Sequence, residues 1–287
     1  MIDKWLIVNG DDFGIHHDVN LGIIHAHTDG LIQSTSLMVN TPATQHGVEI
    51  LKDHPFLEVG LHLNISTQKS VSPPNQISEL VNDQGVFWVN GSDIARSFHM
   101  INDAIEQVPN YLGQIEIEFK HQVDLFYRLI GQPTHINIHH YLAYAHPKLF
   151  KLYLSLAKQV GCPCRGLCYP ALNKMQIHAS TIEMMKQAFD ENTKCPSYSV
   201  SNLVLIDEYT PNDVYQEKMV TLLKKLYFDS EVNSVELVTH PSILSPFILE
   251  NDNFSKVRIL ENHLVNSNNF KSQINSIGYK LSGYSVL

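Results

Sequence analysis

Four apolar runs in this chain of 287 residues end in groups that can bind a metal or move a proton. "LIVNGDDFG" empties into the adjacent carboxylates Asp11 and Asp12. His62 closes "GLHLN", His139 and His140 close "THINIHH", and His240 follows "ELVT". Neighbouring carboxylates repel, and a turn needs only one Asp, so either the pair decorates a loop in solvent or something positive sits beside it. A carboxylate with two imidazoles is a common ligand set for a catalytic divalent cation with open positions. The second carboxylate is then free to take a proton from water. Each motif alone also has a plain reading: a satisfied turn, a core histidine, or, for the His pair, one ring inward and one outward as strand neighbours point. Their meeting on one rim is what favours the metal.

That meeting depends on the elements that carry them. Short runs rich in Val, Ile and Leu predict strands at 4–9, 34–39, 57–63, 134–139, 164–168, 199–206 and 234–239. Helical periods predict helices near 18–29, 43–53, 111–130, 147–160, 178–190, 213–228 and 255–269. Pro147 and Pro211 stand where helices can begin, and Gly30, Gly131 and Gly161 where they can end. Strand–helix alternation means a parallel sheet with crossover helices, whose strand C-termini share one rim. With no linker in the chain, the expectation is an α/β fold. It is a single (β/α) barrel-like domain over 1–287 with about seven parallel strands. The segment 66–110 breaks the rhythm and is expected to be an insertion or lid.

Composition excludes several classes. Apolar residues make up 44% and charged residues 17%, which suits a buried core. There are 20 Lys and Arg against 29 Asp and Glu, with no basic cluster of the kind a nucleic-acid groove or anionic membrane surface needs. Lys224-Lys225 reads as the solvated face of a helix. Trp5–Val8 is too short for a signal-peptide core, and nothing approaches a membrane span of about 20 apolar residues, so a cytoplasmic protein is expected. Cys162, Cys164 and Cys168 in "GCPCRGLCYP" lack the C-x₂-C pairs of zinc sites and read as reduced thiols.

"LIVNGDDFG", "VNLGIIHAHTDGLIQSTSLMVN", "VGLHLNIS" and "PTHINIHH" together resemble the YdjC-like carbohydrate deacetylases, whose type member acts on chitooligosaccharides. The resemblance is close in the N-terminal half and looser beyond residue 141. It implies a barrel-like fold related to the NodB-type polysaccharide deacetylases. It implies one divalent metal ion, Mg2+ by usual family assignment or Zn2+ by ligand chemistry. It also implies hydrolysis of an N-acetyl group from an N-acetylglucosamine oligomer or related small carbohydrate. By that resemblance Asp12, His62 and His139 hold the metal, Asp11 is the general base, and His240 is the acid or a substrate-orienting group. Arg165 also matches and is expected at the substrate. The family pattern Asp-Ser-His-x-His-x-His departs here to Asn137, Tyr141 and Ala143 around the retained His139. Phe87, Trp88, Tyr141 and Tyr144 could stack on sugar rings or simply pack. Neither nucleic acid nor membrane is expected as a partner, while a homodimer is compatible with the sequence. Two rival readings stand beside the deacetylase: a metal-dependent phosphohydrolase and a catalytically impaired sugar-binding protein.

Overall fold

The apolar run at the start of the chain becomes the central strand of a parallel sheet. The computed structural model describes residues 3–91, 93–201, 210–252 and 254–287. The first half runs β1 (Trp5–Phe13), α1 (His17–Thr28), β2 (Ser34–Leu37), α2 (Thr44–Leu51), β3 (Glu58–Leu63), α3 (Ile94–Gln107), α4 (Tyr111–Leu129) and β4 (Ile136–Ile138). There follow α5 (Pro147–Val160), α6 (Tyr169–Lys174), α7 (Ala179–Lys186), β5 (Tyr198–Ser201), α8 (Asn212–Tyr227) and β6 (Ser234–Thr239). The chain closes with α9 (Pro246–Asn251), α10 (Ser255–Val265), α11 (Asn268–Ile277) and β7 (Lys280–Ser282). The sheet order is β4-β3-β2-β1-β6-β5, and β7 adds to the lower half of β1. Every pairing is parallel, so the strand C-termini do share one rim.

Parallel strands covered by helices usually read as continuous apolar runs, buried on both faces. Here the two faces differ. Leu6, Val8, Leu61 and Leu237 are fully buried in the apolar core. The other face carries Asn9 and Asp11 of β1, Ser36 of β2, His62 of β3 and Asn137 of β4, joined by hydrogen bonds. It also carries Ser199 of β5 and Glu236 of β6, bonded to each other. This inner face is polar and every member of it is buried. Burying such groups is tolerable because most of their polar atoms satisfy one another, although Asn9 Oδ1 has no partner among the described residues.

Where propensity and caps agree, the boundaries fall close to expectation. α5 begins at Pro147 and stops at Gly161, which adopts a left-handed φ of 77°. β6 spans 234–239 as expected. Other elements differ. The expected strand at 164–168 is one bridge from Cys164 to Ile136, with Arg165 N–H donating to the Ile136 carbonyl at 3.1 Å. The chain then turns into α6. The 66–110 segment is irregular only at first, and ends in α3, where the Asp93 carboxylate accepts from the Arg96 N–H at 3.0 Å. The expected 255–269 helix divides where Ser267 caps α11. In the strand expected at 199–206, residues 202–206 lie outside the described residues. Among the described residues no helix is long and apolar enough to cross a membrane, and the four cysteines are free.

Candidate active site

Strict strand alternation would turn Asp11 and Asp12 to opposite faces. The ladder between β1 and β2 shifts register between Gly10 and Phe13, and Asp12 takes a left-handed φ of 68°. This local break re-aims the second carboxylate, so both reach the site. A similar device acts after β4. That strand ends at Ile138, and His140 and Tyr141 both have φ 57°. Consequently His139 and His140 both stay on the site side, their rings 3.6 Å apart. The plain reading of this pair, one ring inward and one outward, does not hold because the strand has already ended. Three non-glycine residues in a conformation that costs on the order of 1 kcal/mol each are thus held at one rim.

Asp12, His62 and His139 are buried and bring their donor atoms together. Asp12 Oδ1 lies 3.2 Å from His62 Nε2 and 2.9 Å from His139 Nδ1, and the two nitrogens are 3.2 Å apart. Two observations make this trio fit a divalent cation. Spacings near 3 Å are what ligands about 2.0–2.1 Å from one ion would show along the edges of its coordination shell. Asp12 Oδ1 is also a buried oxygen with no hydrogen-bond partner, which is costly unless something positive meets it. Asn137 Oδ1 stands 2.6 Å from His62 Nδ1, so the proton sits on Nδ1 and the Nε2 lone pair faces the gap.

The outer oxygen of Asp12 accepts from Arg258 Nη2 at 2.7 Å. The same guanidinium donates from Nε to Asp252 at 2.5 Å. Burial would raise the pKa of Asp12, but His139 and Arg258 outweigh it and hold the group well below the usual carboxylate range.

Asp11 is saturated on one side. Its Oδ1 accepts from Arg165 Nη2, Asn9, Ser36 and Asn137, while Oδ2 accepts from Arg165 Nη1 at 2.7 Å. Burial opposes its charge, yet Arg165, then His62 and His240, hold it below the ordinary carboxylate value. His240 Nε2 is 3.9 Å from Asp11 Oδ2. On its other side, Glu261 Oε2 accepts from the His240 backbone N–H at 2.5 Å and lies 3.3 Å from Nδ1. Burial lowers the imidazole's pKa, but Glu261, then Asp12 and Asp11, more than reverse this, and the net shift is upward.

One cavity is lined by Asp11, Asp12, His62, His139, His240 and Arg258, with His140, Tyr141 and Phe254 on its walls. A second cleft continues from it past Ser66, Gln68, Phe87 and Val89, sharing His139, His140 and Arg258. Tyr141 lies where expected. Trp88 does not: it is 57% exposed and borders neither space, while its neighbour Phe87 faces the cleft. Arg165 is buried against Asp11 and Glu236 and lines neither space, so it meets a carboxylate instead of a substrate. Tyr144 is buried packing, its hydroxyl donating to the Gly166 carbonyl at 2.6 Å. Arg258, Glu261, Asp252 and Glu236 join the site without a signal in the sequence that singles them out. The i, i+3 pair Arg258 and Glu261 was visible on a helix, but nothing in the sequence says that face turns inward.

The family of YdjC-like proteins matches residues 5–276. A carbohydrate deacetylase of Brevibacillus brevis is 29% identical over 283 residues, covering 98% of this chain and 99% of that one. A carbohydrate deacetylase of Thermoanaerobacter pseudethanolicus is 25% identical over 285 residues, 99% of both chains. Among solved structures, a protein of Enterococcus faecalis V583 assigned to cellobiose-phosphate cleavage superposes with a TM-score of 0.80. It is 23% identical, with 99% of this chain and 98% of that one covered. That likeness shows the fold.

Proposed function

The chain belongs to the YdjC-like family, and from that premise we propose that it is a metal-dependent carbohydrate deacetylase, hydrolysing an N-acetyl group on a small sugar. The observation that carries this reading is the convergence of Asp12 Oδ1, His62 Nε2 and His139 Nδ1 beside the facing pair Asp11 and His240. The relatives named above are carbohydrate deacetylases, which supports the same reading.

An amide is a poor electrophile with a poor leaving group, so both ends of the reaction need help. A divalent ion held by Asp12, His62 and His139 would polarise the acetyl carbonyl and make water more acidic. Two imidazole donors suit zinc better than magnesium, which prefers oxygen ligands. Asp11 stays ionised and takes the proton of the attacking water through Oδ2, the oxygen with fewer partners. Arg165 keeps that carboxylate in place. His240, kept protonated by Glu261, gives its Nε2 proton to the departing amine. Arg258 fixes Asp12 by the oxygen that is not offered to the ion. Phe87 and Phe254 supply apolar faces on which sugar rings can stack.

The test is acetate release from N-acetylated chitooligosaccharides, with a phosphomonoester as control, in protein stripped of metal and then reloaded. Metal-dependent acetate release without phosphatase activity is expected. Hydrolysis of the phosphate ester alone would replace this reading with a phosphohydrolase, and sugar binding without turnover would point to a binding protein.

A further inference from the structure

Beneath the site a line of buried polar groups runs down the inner face of the sheet. Arg165 presents Nη1 and Nη2 to the two oxygens of Asp11, at 2.7 and 2.8 Å. The same guanidinium gives Nε and Nη2 to Glu236 Oε1, at 2.9 and 2.7 Å. Glu236 lies in the middle of β6, fully buried, and its Oε2 accepts from Ser199 Oγ at 2.8 Å. Its Oε1 also accepts from the hydroxyl of Tyr284.

Tyr284 stands in the short turn Tyr284–Val286, beyond the stretch that the family matches. The residue is fully buried, and its ring lies flat on that of His135, 3.8 Å away at an angle of 6°. The turn is tied from outside as well, since the Ser285 N–H donates to Glu58 Oε2 at 3.1 Å. Burial first, and Glu236 second, hold the Tyr284 hydroxyl in its protonated, donating form.

A buried set of two carboxylates and one guanidinium is a poor source of stability, because desolvation offsets most of the attraction. It is a good source of geometry. An arginine side chain has many rotamers to lose, so paired with Asp11 alone it could meet that carboxylate in several ways. Glu236 removes this freedom by gripping the Nε edge, and Tyr284 and Ser199 keep Glu236 from turning.

We propose that Glu236 and Tyr284 are positioning residues for Asp11, holding the Arg165 fork so that Asp11 Oδ2 faces His240. The inference rests on the reading of Asp11 as proton acceptor. It extends the working site to a turn at residues 284–286, on the far side of the sheet's inner face from the substrate.

The experiment compares Glu236→Gln, Tyr284→Phe and Asp11→Asn in the full, metal-loaded chain, on an N-acetylated chitooligosaccharide. Tyr279→Phe is the control, since Tyr279 is a buried tyrosine whose hydroxyl donates to the Leu223 carbonyl at 3.0 Å, away from this line. Tyr284→Phe and Glu236→Gln should each lower kcat, by on the order of tenfold or more for Glu236→Gln, with KM and metal content unchanged. The double variant should be no slower than Glu236→Gln alone. Tyr279→Phe should lower the melting temperature as Tyr284→Phe does, with kcat unaffected. Wild-type kcat in both variants while Asp11→Asn is inactive overturns the proposal, and so does a loss of rate that only follows lost metal. An active Asp11→Asn overturns the reading of Asp11 itself. If Glu236→Gln fails to fold, Tyr284→Phe decides.

Discussion

The side-chain amide of Asn137 works as acceptor and donor at once: its oxygen stands 2.6 Å from His62 Nδ1, and its nitrogen donates to Asp11 Oδ1 at 3.2 Å and to Ser36 Oγ at 3.0 Å. An acidic residue, usual at this position in the pattern that the sequence resembles, could do the first but not the second. Asn137→Leu should therefore weaken metal binding by about 10–100-fold, because the His62 ring loses its orientation. Asn137→Asp should lower the melting temperature at neutral pH, since it sets a carboxylate against Asp11. Chelator competition and thermal melts check the two effects, and unchanged metal affinity in Asn137→Leu would remove the amide from the metal site.

The paired carboxylates should separate cleanly. Asp11→Asn is expected to keep its metal and lose about 10²–10⁴-fold in rate, the usual range for a proton-transfer group. Asp12→Asn should lose the metal itself, as should His62→Ala. Equal metal contents in the Asp11 and Asp12 variants, measured by elemental analysis, would contradict this division of labour.

His240 should matter in proportion to how badly the leaving group needs a proton. His240→Ala is expected to cripple hydrolysis of the sugar amide and spare a nitrophenyl acetate, whose phenolate leaves unaided. Equal losses on amide and ester would mean that the imidazole orients substrate instead. With its pKa raised, the acid form persists above the ordinary His range, and the rate should fall as pH rises through that raised value. Glu261→Gln removes the charge that raises it most, so this alkaline limb should move to lower pH. A limb that stays put would exclude His240 as its source.

Acid should destabilise the metal-free fold through the same carboxylates. Asp11 and Asp12 have folded-state pKa values below their unfolded ones. Their contribution is present above about pH 4, the unfolded value, and is lost as pH falls toward the folded values. Melting temperature against pH should therefore drop below about pH 4 more steeply in wild type than in Asp11→Asn.

The sequence made the rim legible because its chemistry sits at strand ends, where an apolar run stops at Asp11, His62, His139 or His240. It could not show the second layer of partners. Arg258 and Glu261 look like any charged pair on a helix until the Asp12 and His240 contacts are seen. The matching position of Arg165 suggests a substrate contact but says nothing about direction, and the side chain turns to Asp11 and Glu236 instead. The inner strand face reads as part of an ordinary buried strand, since "STSL" and "SVELVT" do not announce that Ser36 and Glu236 turn toward a polar interior. The strained turn at His140 and Tyr141 is equally hidden, because a left-handed backbone is uncommon for any non-glycine residue and two in succession are not marked by residue type.

The register of β1 also bears on how the chain reaches this state. Trp5 is paired with Ser234 on one side and Lys280 on the other. The strand that delivers Asp11 and Asp12 is thus made well before these two partners, which lie more than 200 residues further along the chain. Until β6 arrives, an apolar stretch with unpaired N–H and C=O groups stays open along an edge, a state prone to sticking to other chains. Such distant pairings make for slow assembly. Premature release during synthesis thus leaves an aggregation-prone fragment, even though it already contains Asp12, His62 and His139.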